Sequence, residues 1–250
     1  PMVPIGYRPI MWQVMKYYAH FGHKEFILCL GHRADYIKNY FLNYNEFISN
    51  DFVLSNGGKD VELVSSDIDD WKITFVDTGV NANIGERLMA VKPYIEDDEM
   101  FMANYSDGIT DLDLAAYQNS FEADDKTASF LCVKPNLSFH SVLLSDDGHT
   151  VSEIQPITET PTRINGGYFI FKREIFDFME KGEELVVEPF QRLVDQRKLM
   201  GYKFDGFWMG IDTFKDKQLL DEMYAKGDTP WEVWKRDQEE ISENGAMAAS

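Results

Sequence analysis

Cysteine is scarce: Cys29 and Cys132 are the only two in 250 residues. A disulfide scaffold is thereby excluded, and both thiols, lying in apolar runs, are expected to be buried in a reducing, cytoplasmic setting. No apolar run reaches the roughly 20 residues that a membrane-spanning helix needs, and no secretory segment opens the chain, so no membrane partner is expected. Positive charge is also short, with 24 Lys and Arg against 43 Asp and Glu and a formal net charge of −19. A chain of that sign lacks the basic face of a nucleic-acid binder. Anionic small substrates remain compatible with it, because a bound divalent cation reverses the local field. The five histidines (His20, His23, His32, His140 and His149) show no metal-ligand spacing. There is no nucleophile elbow and no complete glycine-rich phosphate loop.

What is present suffices for a core: 44% of residues are hydrophobic and 14% aromatic. The patterning predicts a helix from Pro9 to Phe21, a buried strand from Phe26 to Leu30, and a second helix from Ala34 to Phe47. Helix, strand and helix in close order indicate an α/β fold with a parallel sheet and crossover helices. Asn56-Gly57-Gly58 marks a hairpin between Phe52–Leu54 and Val61–Val64, and Asp146-Asp147-Gly148 marks another between Val142–Leu144 and Val151–Ile154. Further strands are expected at Ile73–Val76, Met100–Ala103, Ala128–Val133, Gly167–Phe171, Tyr202–Phe204 and Phe207–Met209. Helices are expected at Glu86–Val91, Leu112–Phe121, Glu174–Met179 and Glu188–Leu199, with a strongly amphipathic one at Thr213–Lys226. No linker divides the chain. Residues 1–235 read as one domain, and 236–250 as an acidic tail expected to fray.

Several residues could carry chemistry. Asp107 follows an apolar strand and precedes Gly108, just past the carboxyl end where open α/β sheets collect ligands. Such a carboxylate suits Mg²⁺, which takes one or two carboxylates plus waters and phosphates; an Asp-Gly turn capping the next helix would look the same. Asp212 stands before a helix start, either as a second ligand or as its N-cap. Asn165-Gly166-Gly167 opens a strand, as a ligand-approach segment or as a simple bulge. Arg87 begins a short helix after Gly79–Gly85, as a phosphate fork or as a solvated surface residue. Trp231 and Trp234 read as packing anchors.

Taken in order, Pro1-Met2-Val3-Pro4-Ile5-Gly6 with Arg8-Pro9-Ile10, Asp77-Thr78-Gly79, Gly85-Glu86-Arg87-Leu88, Tyr105-Ser106-Asp107-Gly108, Ile164-Asn165-Gly166-Gly167-Tyr168-Phe169, Glu188-Pro189-Phe190, Gly206-Phe207-Trp208, Asp212-Thr213 and Pro230-Trp231 resemble the sugar-1-phosphate nucleotidylyltransferases, and most of all their cytidylyl branch. The resemblance runs from Pro1 to about Lys235. It implies a Rossmann-like nucleotide-diphospho-sugar transferase fold, with a mixed, mainly parallel sheet flanked by helices. It implies that CTP and a hexose 1-phosphate react with Mg²⁺ to give a CDP-sugar, CDP-glucose in the first instance, and pyrophosphate. It also implies a homo-oligomer. By the same resemblance Asp107 and Asp212 match the metal-binding, catalytic carboxylates. Arg87, Ser106 and Ala82 match nucleotide-binding positions; Asn165, Gly166 and Glu188 match positions that hold the sugar phosphate.

The chain departs from that pattern in places. The family's Gly-Gly-x-Gly-Thr-Arg-Leu loop and the lysine before Pro-Met are not in the sequence, so the first strand and phosphate loop are expected to be missing and the chain inactive alone. Ser106 replaces a family glycine, and Ala82 stands where the family has a hydroxyl. Glu159-Thr160-Pro161 occupies the Glu-Lys-Pro region, and Phe139-His140 replaces Phe-Gly. Two alternatives therefore stand beside the cytidylyl reading: transfer to another base or sugar, and a non-catalytic paralogue that binds nucleotide sugars.

Overall fold

The computed structural model describes residues 1–136 and 139–236. Two short strands, β1 (Pro4–Ile5) and β2 (Arg8–Pro9), pair antiparallel and lead into α1 (Ile10–His20). Pro9 stands at the helix entrance in extended conformation, where its missing N–H costs nothing. Next come β3 (Glu25–Leu30), α2 (Ala34–Leu42), the hairpin β4 (Phe52–Ser55) and β5 (Asp60–Leu63), and β6 (Lys72–Asp77). The second helix stops at Leu42 and not at Phe47, where the chain makes a separate 3₁₀ turn over Glu46–Ile48 capped by Asn45. The central part holds α3 (Ile84–Val91), β7 (Met100–Asn104), β8 (Gly108–Thr110), α4 (Leu114–Glu122) and β9 (Ala128–Val133). The hairpin β10 (His140–Leu144) and β11 (Val151–Pro156) precedes β12 (Ile164–Lys172). The chain continues through α5 (Glu188–Asp195), β13 (Leu199–Lys203), β14 (Trp208–Gly210) and α6 (Phe214–Lys226).

The main sheet runs β13-β9-β12-β7. Helices cover both of its faces, and β12 shows why. Its Tyr168 and Ile170 pack with Ile10, Val14, Tyr17 and Tyr117 of α1 and α4, while Phe169 and Phe171 pack with Leu88, Phe190 and Leu193 of α3 and α5. A strand buried on both sides has no polar alternation, which is why Tyr168–Phe171 is unbroken apolar sequence. The buried phenols find partners: Tyr168 donates to the Gly108 carbonyl at 2.9 Å and Tyr17 to the Leu112 carbonyl at 2.8 Å.

The expected mixed α/β architecture is therefore present, but parallel pairing does not dominate the ladders. Among the described residues it is confined to β3 with β6 and β9 with β13; β12 meets both β9 and β7 antiparallel. Other expectations also shift. Arg173–Phe178 is a 3₁₀ segment, not an α-helix, and α5 ends at Asp195 so that Leu199 can join the sheet. Helix α6 fully buries only Leu220, so it is a surface helix with a narrow seam rather than a strongly amphipathic one. Cys29 is exposed and Cys132 half-buried, correcting the reading of both as buried thiols; neither is disulfide-bonded. Trp231 is buried against Phe207 and Trp234 packs on Trp12, as anchors should. Beyond Arg236 the expected tail lies outside the described residues. Among the described residues no helix is long and apolar enough to cross a membrane.

Candidate active site

The short ladder of β8 and β14 sets the geometry of the site. Its register places Gly108 opposite Gly210, so Asp107 and Asp212 leave the same end of two paired strands. The bond from the Ile211 N–H to the Asp107 carbonyl, 3.0 Å, prolongs the ladder to the two acidic positions. The far end is sealed by the Phe207 N–H donating to Asp111 Oδ1 at 2.8 Å. Neither acid is used as a helix cap. The N-cap of α4 is Asp113, and α6 has a capping box built from Thr213 and Asp216.

Asp107 is half-buried, and burial raises its carboxyl above the usual range. The charge of Asp212 adds to this shift. Two carboxylates close enough to repel, one of them partly desolvated, form a donor set that a hard divalent cation would relieve. Among the described residues no group of three or more His, Cys, Asp or Glu is gathered for a metal. The pair thus fits an ion that completes its shell with water and phosphate oxygens, as Mg²⁺ does, and not a closed structural site.

Ser106 precedes Asp107 with φ of +50°, a left-handed backbone that favours glycine, and its N–H donates to Asn104 Oδ1 at 2.7 Å. That side-chain turn stabilises the strained residue and aims the next one. Beside it, Asn165 Nδ2 donates to the Tyr105 hydroxyl at 3.1 Å, and Asn165 Oδ1 accepts the Gly167 N–H at 2.9 Å. The β9–β12 register shifts between Asn165 and Phe169. The bulge and the polar cluster are the same feature. A Cβ on Gly166 would stand 3.0 Å from Val133 and 3.3 Å from Trp208 Nε1, which itself donates to the Gly166 carbonyl at 2.8 Å. The close approach at Gly166 is thus made by the protein's own tryptophan.

Arg87 lies at the carboxyl ends of the parallel pair β3 and β6. Its Nη1 donates to Thr78 Oγ1 at 2.7 Å, and that hydroxyl donates to the Leu30 carbonyl at 2.8 Å. Gly31 has no room for a side chain, because a Cβ would come within 2.8 Å of both guanidinium nitrogens. Ala82 is in the loop just before α3, whose entrance is fixed by an Asn83–Glu86 capping box.

Glu188 is exposed at the first turn of α5 and accepts the Glu184 N–H at 3.2 Å. Glu184 itself was not singled out from the sequence. Its Oε2 accepts the Ile84 N–H at 3.4 Å, and its charge helps push the Tyr105 phenol up, after burial and against the Asn165 hydrogen bond. It therefore links the α3 entrance to the Tyr105–Asn165 cluster. Its Oε1 is buried with no protein partner. Nothing in the local sequence marks it, since Glu183 and Glu184 are adjacent acids in a charged loop. Thr78, by contrast, lies in the quoted Asp-Thr-Gly motif, and Gly31 could have been flagged as a glycine closing a strand.

No protein-family model matches the chain. Glucose-1-phosphate cytidylyltransferase of Salmonella typhi is 34% identical over 239 residues, spanning 94% of this chain and 91% of the relative. Among solved structures, a UDP-glucose pyrophosphorylase complexed with UDP-glucose superposes with a TM-score of 0.62 at 14% identity, covering 90% of each chain. HddC of Yersinia pseudotuberculosis, complexed with GMP-PN, superposes at 0.61 with 19% identity, covering 90% of this chain and 89% of its own. The structural likenesses are of fold alone. Identity of 34% across nearly the full length, on the fold and motif order described above, makes this chain a member of the sugar-1-phosphate nucleotidylyltransferase family, an enzyme related to the glucose-1-phosphate cytidylyltransferases.

Proposed function

We propose that the enzyme transfers a cytidylyl group from CTP to glucose 1-phosphate or a related hexose 1-phosphate, releasing pyrophosphate and a CDP-sugar. The observation that carries this reading is the β8–β14 ladder, which brings Asp107 and Asp212 to one place although they are 105 positions apart in sequence. The identity to the Salmonella cytidylyltransferase supports the choice of base and sugar.

In the reaction a phosphate oxygen of the sugar attacks the α-phosphorus in line. One P–O bond forms, the α–β bridge breaks, and pyrophosphate leaves with its electron pair, with no covalent enzyme intermediate. Two anions must meet, so charge neutralisation and positioning dominate the barrier. A bound Mg²⁺ would supply neutralisation of the phosphates between Asp107 and Asp212. Arg87, hydrogen-bonded to Thr78 at the strand ends, is assigned to nucleotide phosphate, and Ser106 and Ala82 are assigned to the nucleotide with it. Asn165, the Gly166 backbone and Glu188 are assigned to the sugar phosphate. The enzyme is further proposed to work as a homo-oligomer in the cytoplasm.

The test is pyrophosphate release by the intact protein, carrying the phosphate loop and lysine, from CTP with Mg²⁺ and a panel of sugar phosphates. Release with glucose 1-phosphate supports the reading; none with any sugar rejects it. Ser106 in a left-handed conformation, at a position that favours glycine, points to a second reading with a different base. Competition between CTP, UTP and dTTP separates the two.

A further inference from the structure

The ladder that carries Asp107 and Asp212 is a sheet of two strands, β8 and β14, separate from the main sheet in which β12 lies. Asn165 and Gly166 open β12, whereas the acids leave β8 and β14, so the two sheets must be fixed against each other for both to serve one site. Two side chains cross between them in opposite directions. Tyr168 of β12 donates to the Gly108 carbonyl at 2.9 Å, and Trp208 of β14 donates through Nε1 to the Gly166 carbonyl at 2.8 Å. Tyr168 is fully buried in the core, while the Trp208 indole is half-buried.

Glycines make the space for that indole. In the β8–β14 register Trp208 faces Thr110 and Gly210 faces Gly108. Paired residues share a face of the ladder, and so do residues two apart on one strand. Trp208, Gly210, Gly108 and Thr110 therefore stand on one side. The two glycines are the last pair before the acids, and neither has a side chain to keep the ring away. A Cβ on Gly108 would stand 3.4 Å from Trp208 Nε1 and 3.7 Å from Cε2 and Cζ2, and one on Gly210 would stand 3.7 Å from Cη2. A Cβ on Gly166 would be 3.3 Å from the same Nε1. One indole thus lies against three glycines. Two of them flank the acids, and the third belongs to the bulge beside Asn165.

We propose that Trp208 is a positioning residue: it sets the distance between the acidic ladder and the segment that receives the sugar phosphate. In-line attack tolerates little error, since a misplacement of about 1 Å costs about 100-fold. The indole supplies two separable things, a flat surface to Gly108 and Gly210 and an N–H to Gly166. Without the N–H the Gly166 carbonyl loses its donor, and a half-buried carbonyl left unpaired is costly. The bulge around it has already given up regular pairing with β9 between Asn165 and Phe169, so little else holds it in register. The sugar side should then loosen while the ladder of Asp107 and Asp212 keeps its packing. The inference rests on the proposed function where it names the sugar phosphate; that the indole holds the Gly166 segment does not depend on the substrate.

The experiment compares the intact protein, carrying the phosphate loop and lysine, with its Trp208→Phe variant, which keeps a ring and removes the N–H. The KM for glucose 1-phosphate is expected to rise about 10-fold, the scale of one lost hydrogen bond. The KM for CTP and the affinity for Mn²⁺, followed by proton relaxation, should stay within about twofold. An unchanged KM for the sugar phosphate overturns the proposal even if the melting temperature falls, because packing alone moves stability and not this split. Equal losses for sugar phosphate and CTP overturn it too. A wild type that turns over no sugar phosphate rejects the proposed function, and amide exchange over Asn165–Tyr168 then decides the brace. Quickened exchange in Trp208→Phe supports it, and unchanged exchange overturns it. Should the phenylalanine variant fail to fold, benzothienylalanine at position 208, which keeps the bicyclic shape without the N–H, is put through the same measurements with the same deciding outcomes.

Discussion

The Asp107 carbonyl accepts the N–H of Ile211, one residue before Asp212, at 3.0 Å. The backbone thus holds two like charges together whether or not a cation lies between them. Burial already raises the Asp107 carboxyl, and the charge of Asp212 raises it further. A carboxyl whose folded pKa is raised favours the fold while protonated and loses that contribution as pH rises through the folded value.

Asp107→Asn should therefore make the metal-free protein more stable at pH 7 to 8. The gain should shrink as pH is lowered through the ordinary carboxylate range, where both forms are neutral. The same change should reduce turnover by about 100-fold or more, the scale of losing a group that acts on transition-state charge. Thermal melts across pH and a pyrophosphate assay check the two halves. An asparagine variant that is destabilised at neutral pH would contradict the geometry.

Asp212 and Thr213 are neighbours with different duties. Thr213 accepts the Asp216 N–H at 3.2 Å as part of the capping box of α6. Thr213→Ala should cost about 1 kcal/mol of stability. Asp212→Asn should leave the melting temperature within a degree or two while lowering turnover and weakening Mn²⁺ binding followed by proton relaxation. Equal stability loss in both variants would return Asp212 to a capping role.

The contrast between these residues shows what could be read from sequence. Strand β9 was legible to the residue, because its run is apolar but for Ser129 and Pro135 follows shortly after its end. Asp107 was legible as a strand-end acid. Its pairing with Asp212 was not, because β8 and β14 are three-residue strands whose partnership is settled by long-range packing. The motif order implied the pair only through resemblance. Glu184 was invisible for a related reason: its place beside Tyr105 follows from how the loop before α5 meets the α3 entrance. The helix boundaries that slipped, at Leu42 and Asp195, fall where apolar spacing continues but the chain is recruited into a 3₁₀ turn or a sheet.

Gly31 offers a test of Arg87 that leaves the arginine in place. A methyl there would meet both guanidinium nitrogens at 2.8 Å and the Gly79 carbonyl at 2.7 Å. The guanidinium, at the end of a flexible side chain, can swing away, whereas the Gly79 carbonyl is backbone and has to shift with its loop, so a thermal melt of the variant accompanies the kinetics. Gly31→Ala should break the 2.7 Å bond from Arg87 to Thr78 and raise the KM for the nucleotide by about 10-fold or more, with kcat less affected, as expected when binding shared by ground and transition states is lost. Steady-state kinetics with the nucleotide varied checks this. An unchanged KM would remove Arg87 from the nucleotide side of the site.

Asp67 makes the opposite electrostatic prediction from Asp107. Burial pushes its carboxyl up, but the hydrogen bonds from Ser49 and Tyr44 and the charges of Lys16 and Arg8 outweigh that, and the net shift is downward. Its contribution to stability is therefore present above the ordinary carboxylate range and is lost as pH falls through the lowered value. Asp67→Asn keeps the shape but removes the charge facing Arg8, whose side chain is 3% exposed. Breaking a buried pair costs about 3–5 kcal/mol, and the partial exposure around Asp67 brings the expected loss to about 2–3 kcal/mol. Denaturant melts should show this deficit undiminished from pH 6 to 8 and closing below about pH 4, where the wild-type carboxylate is itself being protonated. Amide exchange over Phe52–Leu63 should quicken in the variant, because that ion pair anchors the β4–β5 base. A deficit independent of pH would mean that Asp67 acts through shape and hydrogen bonding, and not through its charge on Arg8.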